Sequence, residues 1–291
     1  MKNSFIIYVI PAHGWSTQLK HCVAQIENEL KAIGVKYHGI VSNSATEFCV
    51  SDLPSECISL LSCSADDYWT GAVYKLIARA QEMKPDFIYL CNHDTILKEG
   101  ALKVLFEHAS EHSQCVVSRC FSLGDPDKPE ATSFSTHWLR GFMADDPLKH
   151  VVSSRLPWQV EAVNGRSVLL PCKSVKLEYF PLKTCPHYYG DTVLTSRIQR
   201  GEGAIWVHPE SHVLVDNSDI EKKRHVTSPA SFTDLKRVFF DPRSQRFLKA
   251  SFFGPFFAHN NQFFGFVAGF NMVCGRIFLS LLEAAGLKKR L

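Results

Sequence analysis

From the amino terminus, apolar positions fall first into an unbroken run, Phe5 to Ile10, then into a spaced set, Leu19, Val23, Ile26, Leu30 and Ile33. A second run follows at Tyr37 to Val41. A short continuous run ended by Pro11-Ala12-His13-Gly14 reads as a buried strand, and recurrence every three to four residues reads as an amphipathic helix that Gly34 stops. Strand, helix, strand is a βαβ opening. It predicts a parallel sheet with ligands at the carboxyl ends of its strands. Those ends are Pro11 to Gly14, Ser42 to Thr46 and, after a third run from Asp86 to Cys91, Asn92 to Thr95.

Between the second and third ends lie an apolar run at Ile58 to Leu61, the segment Ser64 to Gly71, and a helix predicted over 72–83 that Lys84-Pro85 closes. A further helix is predicted over 100–112 and a strand at Cys115 to Ser118. From Leu123 to Leu156 the composition turns to Pro, Asp, Ser and Lys, which predicts a long, partly mobile insert of the kind that covers an acceptor site. Val160 to Val163 and Ser167 to Leu170 flank Asn164-Gly165-Arg166 as a hairpin or bend. A helix over 192–200, ended by Gly201 to Gly203, leads to a last strand at Ala204 to Val207. The expected architecture is an α/β domain over 1–218, split into halves at 118/119, with a helical region over 219–291.

At 291 residues with 45% hydrophobic and 21% charged side chains, the chain has the composition of a globular protein. A net charge of +3 and the lack of any RNA- or DNA-binding motif argue against a nucleic-acid partner. Ten cysteines include no C-x-x-C pair, and several lie in apolar runs, so free buried thiols in a reducing cytosol are expected. Pro11 cuts the first apolar run too short for a signal peptide.

The tripeptide Asn92-His93-Asp94 puts an amide and a carboxylate at the mouth of a buried strand. A short acidic motif there suits a divalent cation that shares its coordination with substrate phosphates. The same residues also suit a strand-ending turn, with Asp94 capping the next helix.

Three separated segments resemble one pattern of glycosyltransferase family 2, inverting enzymes of the GT-A fold, which has a Rossmann-like, mostly parallel sheet flanked by helices. They are Tyr68-Trp69-Thr70-Gly71-Ala72, Asn92-His93-Asp94, and Val163-Asn164-Gly165-Arg166 followed by Pro186-His187-Tyr188-Tyr189-Gly190-Asp191. The resemblance spans roughly residues 5 to 215. It implies Asp94 as ligand to Mg²⁺ or Mn²⁺, and Asp191 as the base that deprotonates the acceptor hydroxyl, although Asp191 also suits a helix cap. It further implies a nucleotide-sugar site from Pro11, Ala12, Asn43, Asp66 or Asp67, Trp69, Thr70, Gly71, Asn92 and His93. Asn164, Gly165, Arg166 and His187 fall on the acceptor side. The chain departs from the family at Ser42 and Val193, where acidic residues are usual. A histidine after the last strand has no clear counterpart near Val215, with His208, His212 and Asp216 close by.

Phenylalanine is dense from Phe239 to Phe278, interleaved with Lys236, Arg237, Arg243, Arg246, Lys249 and Arg276. Such a mixture suits the boundary of an anionic bilayer, or a helical appendage packed on the catalytic domain or a second subunit. Phe263 to Leu282 is long enough to span a membrane, but Asn271 and Arg276 within it favour helices lying on the surface. The expected function is transfer of a sugar, with inversion, from a nucleotide-diphosphate donor to a glycan or lipid-linked acceptor. The expected place is the cytoplasm, at the inner face of the plasma membrane. A nucleotidyltransferase and a non-catalytic scaffold subunit stand as the alternatives.

Overall fold

A strand that is apolar at every position needs cover on both faces, which only an interior place in a sheet provides. In the computed structural model, which describes residues 4–14, 16–44, 55–145, 156–216, 229 and 231–287, β1 (Phe5–Ile10) takes that place. Strands β2 (Lys36–Asn43), β3 (Ile58–Ser62) and β4 (Phe87–Cys91) run parallel to it in the order β3-β2-β1-β4. Alternate residues serve opposite layers. Ile6, Tyr8 and Ile10 pack with Leu19, Val23, Ile26 and Leu30 of α1 (Thr17–Ile33), whereas Ile7 and Val9 pack with Val73, Leu76 and Ile77 of α2 (Tyr68–Glu82). The Tyr8 ring lies so close to β2 that a Cβ on Gly39 would come within 2.2 Å of its Cζ, so only glycine fits there.

The helix boundaries follow their caps. Ser16 Oγ accepts from Leu19 N at 3.1 Å to open α1, and Gly34, at φ 76°, closes it. Helix α2 starts at Tyr68, four residues before the position expected from hydrophobic spacing. Ser64 caps a tight turn at Ala65–Asp67, and Asp67 returns a 2.7 Å bond to Ser64 N, which launches the chain into α2 early. The Trp69-Thr70-Gly71-Ala72 stretch is therefore the first turn of a helix.

After β4 come β5 (Thr95–Leu97), α3 (Ala101–His112), β6 (Cys115–Ser122), β7 (Ser133–His137), β8 (Gly141–Ala144), β9 (Trp158–Val160), β10 (Ala162–Val163), β11 (Ser167–Pro171), α4 (Gly190–Glu202) and β12 (Ile205–Val215). Strand β11 enters the sheet antiparallel between β4 and β6, in register Ser167 with Cys91. That reversal sets the start of β11 beside the end of β4, so Asn164-Gly165-Arg166 lies against Asn92-His93-Asp94. Strand β12 pairs parallel with β6, bulges between His208 and His212, and continues to Val215, well past the expected end. The described part of the insert folds as the β7–β8 hairpin, completed by β10 into a three-stranded sheet. Residues 146–155 of the insert lie outside the described ones.

The carboxyl-terminal region forms α5 (Leu235–Phe240), α6 (Leu248–Ala258) and α7 (Gln262–Ala284). Ala250 of α6 is buried with Cys185 and with Val193 of α4. An acidic side chain at Val193 would be buried in this seam, facing the appendage. Arg246 meets Glu283 in a two-pronged ion pair at 2.7 and 2.8 Å, with Ser280 as a third partner.

Candidate active site

Two clefts open at the carboxyl ends of β1, β2, β3 and β4 and share a wall of Pro11, Trp69, His93 and His187. The first, about 500 Å³, runs over Ala12, Ser44, Cys63, Ser64 and Asp66. The second, about 630 Å³, holds Asn92, Asp94, Asn164, Arg166 and Asp191. Residues drawn from strand ends far apart in the chain thus form one continuous depression, as expected for an open α/β sheet.

Asn92 and Trp69 are joined: the Trp69 indole N–H donates to Asn92 Oδ1 at 3.0 Å. Asn92 N donates in turn to Arg166 O at 3.4 Å, which links the strand-end motif to the turn before β11. Asp94 Oδ1 is buried and has no hydrogen-bond partner. A buried carboxylate oxygen without a donor is costly, and a cation at that atom would satisfy it. Among the described residues no group of three His, Cys, Asp or Glu could hold a metal ion. With its unpartnered oxygen, Asp94 could supply one ligand to a Mg²⁺-type ion, the remaining oxygens coming from phosphate and water. Asp216 N donates to Asp94 O at 3.4 Å, while Asp216 Oδ2 accepts from Gln18. His208 meets His108 edge to face, and His212 meets Phe121 in the same way, away from the clefts.

Asp191 sits in the first turn of α4, behind Tyr189, which adopts the left-handed conformation at φ 66°. Its Oδ2 accepts from Gly165 N at 2.9 Å and its Oδ1 from Thr192 N at 2.8 Å. The residue that caps α4 by position is Tyr189, so Asp191 is free to bridge from the helix to the turn before β11. Burial pushes its carboxyl above the usual range, and the two N–H groups, the Thr192 hydroxyl and the Arg166 charge pull it partly back. The contact leaves no room for a side chain at residue 165, since a Cβ there would lie 2.6 Å from Trp69 Cζ2.

The structure brings Pro11, Ala12, Asp66, Trp69, Asn92, His93, Asp94, Asn164, Arg166, His187 and Asp191 onto the cleft walls. Asn43, Asp67, Thr70 and Gly71 stand behind them. Asn43 Oδ1 accepts from Gly14 N, and Ser42 Oγ accepts from Ala12 N, so both hold the loop after β1. Asp67 is taken up by Ser64 and by Lys75 at 2.6 Å. Thr70 donates to Cys185 O at 2.6 Å and receives its place from Thr70 N bonded to Pro186 O, and Gly71 packs on Asp67. Arg243 and Gln245 from the appendage and Glu130 from the insert also line the clefts. No spacing in the sequence relates them to the strand ends. The only hint is the run of basic residues in the tail.

No protein-family model and no curated protein sequence matches this chain. Among solved structures, GalNAc-T7 with UDP, GalNAc and Mn²⁺ is similar over 73% of this chain at 13% identity and a TM-score of 0.55, and this chain spans 44% of that one. S. aureus TarS 1–349 is similar over 99% of this chain and 76% of its own, at 11% identity and a TM-score of 0.50. At such identities the likeness is one of fold. The chain has a GT-A fold with an aromatic-rich helical region at its carboxyl end.

Proposed function

We propose that this protein is an inverting glycosyltransferase that moves a hexosyl or deoxyhexosyl group from a nucleotide-diphosphate-sugar to a glycan or lipid-linked acceptor. The observation that carries the reading is the shared wall. One cleft offers a nucleoside-sized groove, its neighbour offers Asp94 and Asp191, and Trp69, His93 and His187 face both. The likeness to a structure with UDP and Mn²⁺ supports it. On this reading a nucleotide occupies the first cleft, with its diphosphate at the border with the second.

The residues divide the work. Ala12, Ser44 and Asp66 line the part that would take base and ribose, and Arg243, fixed by Asp241 at 3.0 and 3.1 Å, keeps its remaining N–H donors for phosphate. Asp94 would hold a divalent cation, which stabilises the negative charge that develops on the departing diphosphate. Asp191 accepts the proton of the acceptor hydroxyl, and its raised basicity suits that step. Gly165 N and Thr192 N fix the carboxylate so that its orientation survives the transfer. Arg166 and Glu130 line the same cleft and bind the acceptor's polar groups.

We assign the enzyme to cell-surface polysaccharide assembly at the cytoplasmic side of a membrane. The test is calorimetry with a panel of nucleoside diphosphates, with and without Mn²⁺, followed by transfer from the matching nucleotide-sugars. Metal-dependent binding of one nucleotide and transfer from its sugar are expected. Failure to bind any of them would leave the scaffold reading in its place, and release of pyrophosphate from a nucleoside triphosphate would leave the nucleotidyltransferase.

A further inference from the structure

Helix α7 carries two charged residues, Arg276 and Glu283, and both are turned inward. Glu283 is buried against Arg246, and Arg276 donates to the Tyr189 hydroxyl and to Gln245 O. What the helix turns outward is Phe263, Phe266, Phe270, Cys274, Phe278 and Leu281, all exposed. Their spacing of three or four residues makes one stripe along the whole helix. The tip of the β7–β8 hairpin extends it: Trp138 and Leu139 are exposed, and the Trp138 ring lies 6.2 Å from Phe264. An apolar surface this long, with no polar side chain in its outer row, marks a contact surface.

We propose that this face docks on an anionic phospholipid bilayer, with α7 lying in the plane of the interface. The edge chemistry selects this partner. Arg140 follows Trp138-Leu139 at the exposed hairpin tip, and Lys236 and Arg237 are exposed on α5, which packs against α7 and presents Phe240. Aromatic rings with cations at their border match a headgroup layer carrying negative charge.

The attachment of α7 decides between lying and crossing. By length and composition its 23 residues, which include an 18-residue stretch with a mean hydropathy of 1.6, are enough to cross a membrane. Gly265 and Gly269, however, press so tightly on α6 that a Cβ would come within 2.8 Å of Phe256 O and 2.4 Å of Phe252 O. With Arg276 held at Tyr189 and Glu283 at Arg246, the helix is fastened to the domain along its whole length. Crossing would strip these contacts and bring Arg276 and Glu283 into hydrocarbon. Tyr189 is also two residues from Asp191, so the docking face backs directly onto the wall of the second cleft. That placement serves delivery of a lipid-linked acceptor. Its purpose rests on the proposed transfer reaction, whereas the binding itself does not.

The full chain is to be floated with phosphatidylcholine vesicles that contain or lack phosphatidylglycerol. Flotation with the anionic vesicles is expected, reduced about tenfold by Phe266→Glu with Phe270→Glu at unchanged melting temperature. Trp138→Ser, at an exposed hairpin tip, gives a second variant that weakens flotation should the first pair fail to fold. Lys236→Glu with Arg237→Glu should erase the preference for anionic lipid. Recovery independent of vesicles, flotation indifferent to the phenylalanines, or a dimer that the same pair converts to monomer without vesicle binding would each overturn the proposal. Resistance to alkaline carbonate would overturn the in-plane placement. A chain that floats but transfers no sugar keeps this face and loses the function proposed above.

Discussion

The two clefts are built in different ways. The walls of the first come almost wholly from residues 11 to 93, at the ends of four adjacent parallel strands, with Arg243 alone reaching in from the appendage among the residues described and His187 shared with its neighbour. The second draws on β4, the insert, the turn before β11, the start of α4 and the appendage. A site of the first kind is fixed by local strand geometry, because each strand end arrives with its own loop. A site of the second kind depends on long-range packing, and its stability and its chemistry are therefore coupled.

Substitutions in the two halves should separate along that line. The largest effect is expected at the base. Asp191→Asn should lower kcat about a thousandfold while calorimetric affinity for the nucleotide is unchanged, since a general base contributes about 10²–10⁴-fold. Wild-type kcat/KM should fall as pH drops through the Asp191 pKa, because the protonated carboxyl cannot accept the acceptor's proton. As burial raises that pKa, the acidic limb should lie above the ordinary carboxyl range. Full activity of the asparagine variant would end the assignment.

On the donor side, Asp94→Ala should cost roughly a thousandfold in transfer, as several kcal/mol of charge stabilisation go with the metal. It should also abolish the metal dependence of nucleotide affinity. Transfer that still responds to Mn²⁺ would contradict the role of Asp94.

Further from the chemistry, Arg246→Ala leaves Glu283 buried without its partner and should destabilise the chain by about 3 kcal/mol in a denaturant titration. The double change Arg246→Met with Glu283→Leu should be milder than the single one. If both leave the second cleft's activity untouched, the appendage does not support that cleft.

The smallest of these effects is expected where the halves touch. Gly165→Ala would force its methyl into Trp69, cost about 2 kcal/mol, and loosen both the Trp69–Asn92 bond and the Gly165–Asp191 bond. A fall in kcat with little change in nucleotide affinity would show that the contact serves the acceptor side more than the donor side.

Much of this was legible in the chain before folding. The apolar run of β1, the periodic helix after it and the Gly34 stop all read correctly because each depends on neighbours in sequence. The same holds for Asn92-His93-Asp94 at a strand end. The early start of α2 was missed because a capping turn at Ser64 outweighs hydrophobic spacing. The hairpin in the insert was missed because a Pro- and Ser-rich composition hides two short strands. The places of Val193 and Ser42 were hidden in the sequence: one packs on the appendage and the other holds the loop after β1.

By itself the sequence determined the α/β alternation, the strand ends that carry polar residues, and the chemical character of Asp94 and Asp191, since periodicity and residue type are local properties. Only the tertiary structure decided that β11 runs antiparallel beside β4. That one reversal brings Gly165 within 2.9 Å of Asp191 and Arg166 beside Asn92. Likewise, only packing chose which side of α7 hides its charges and which turns phenylalanine to the outside. Strand order and helix facing are set by the sum of long-range contacts, and no window of neighbouring residues contains that sum.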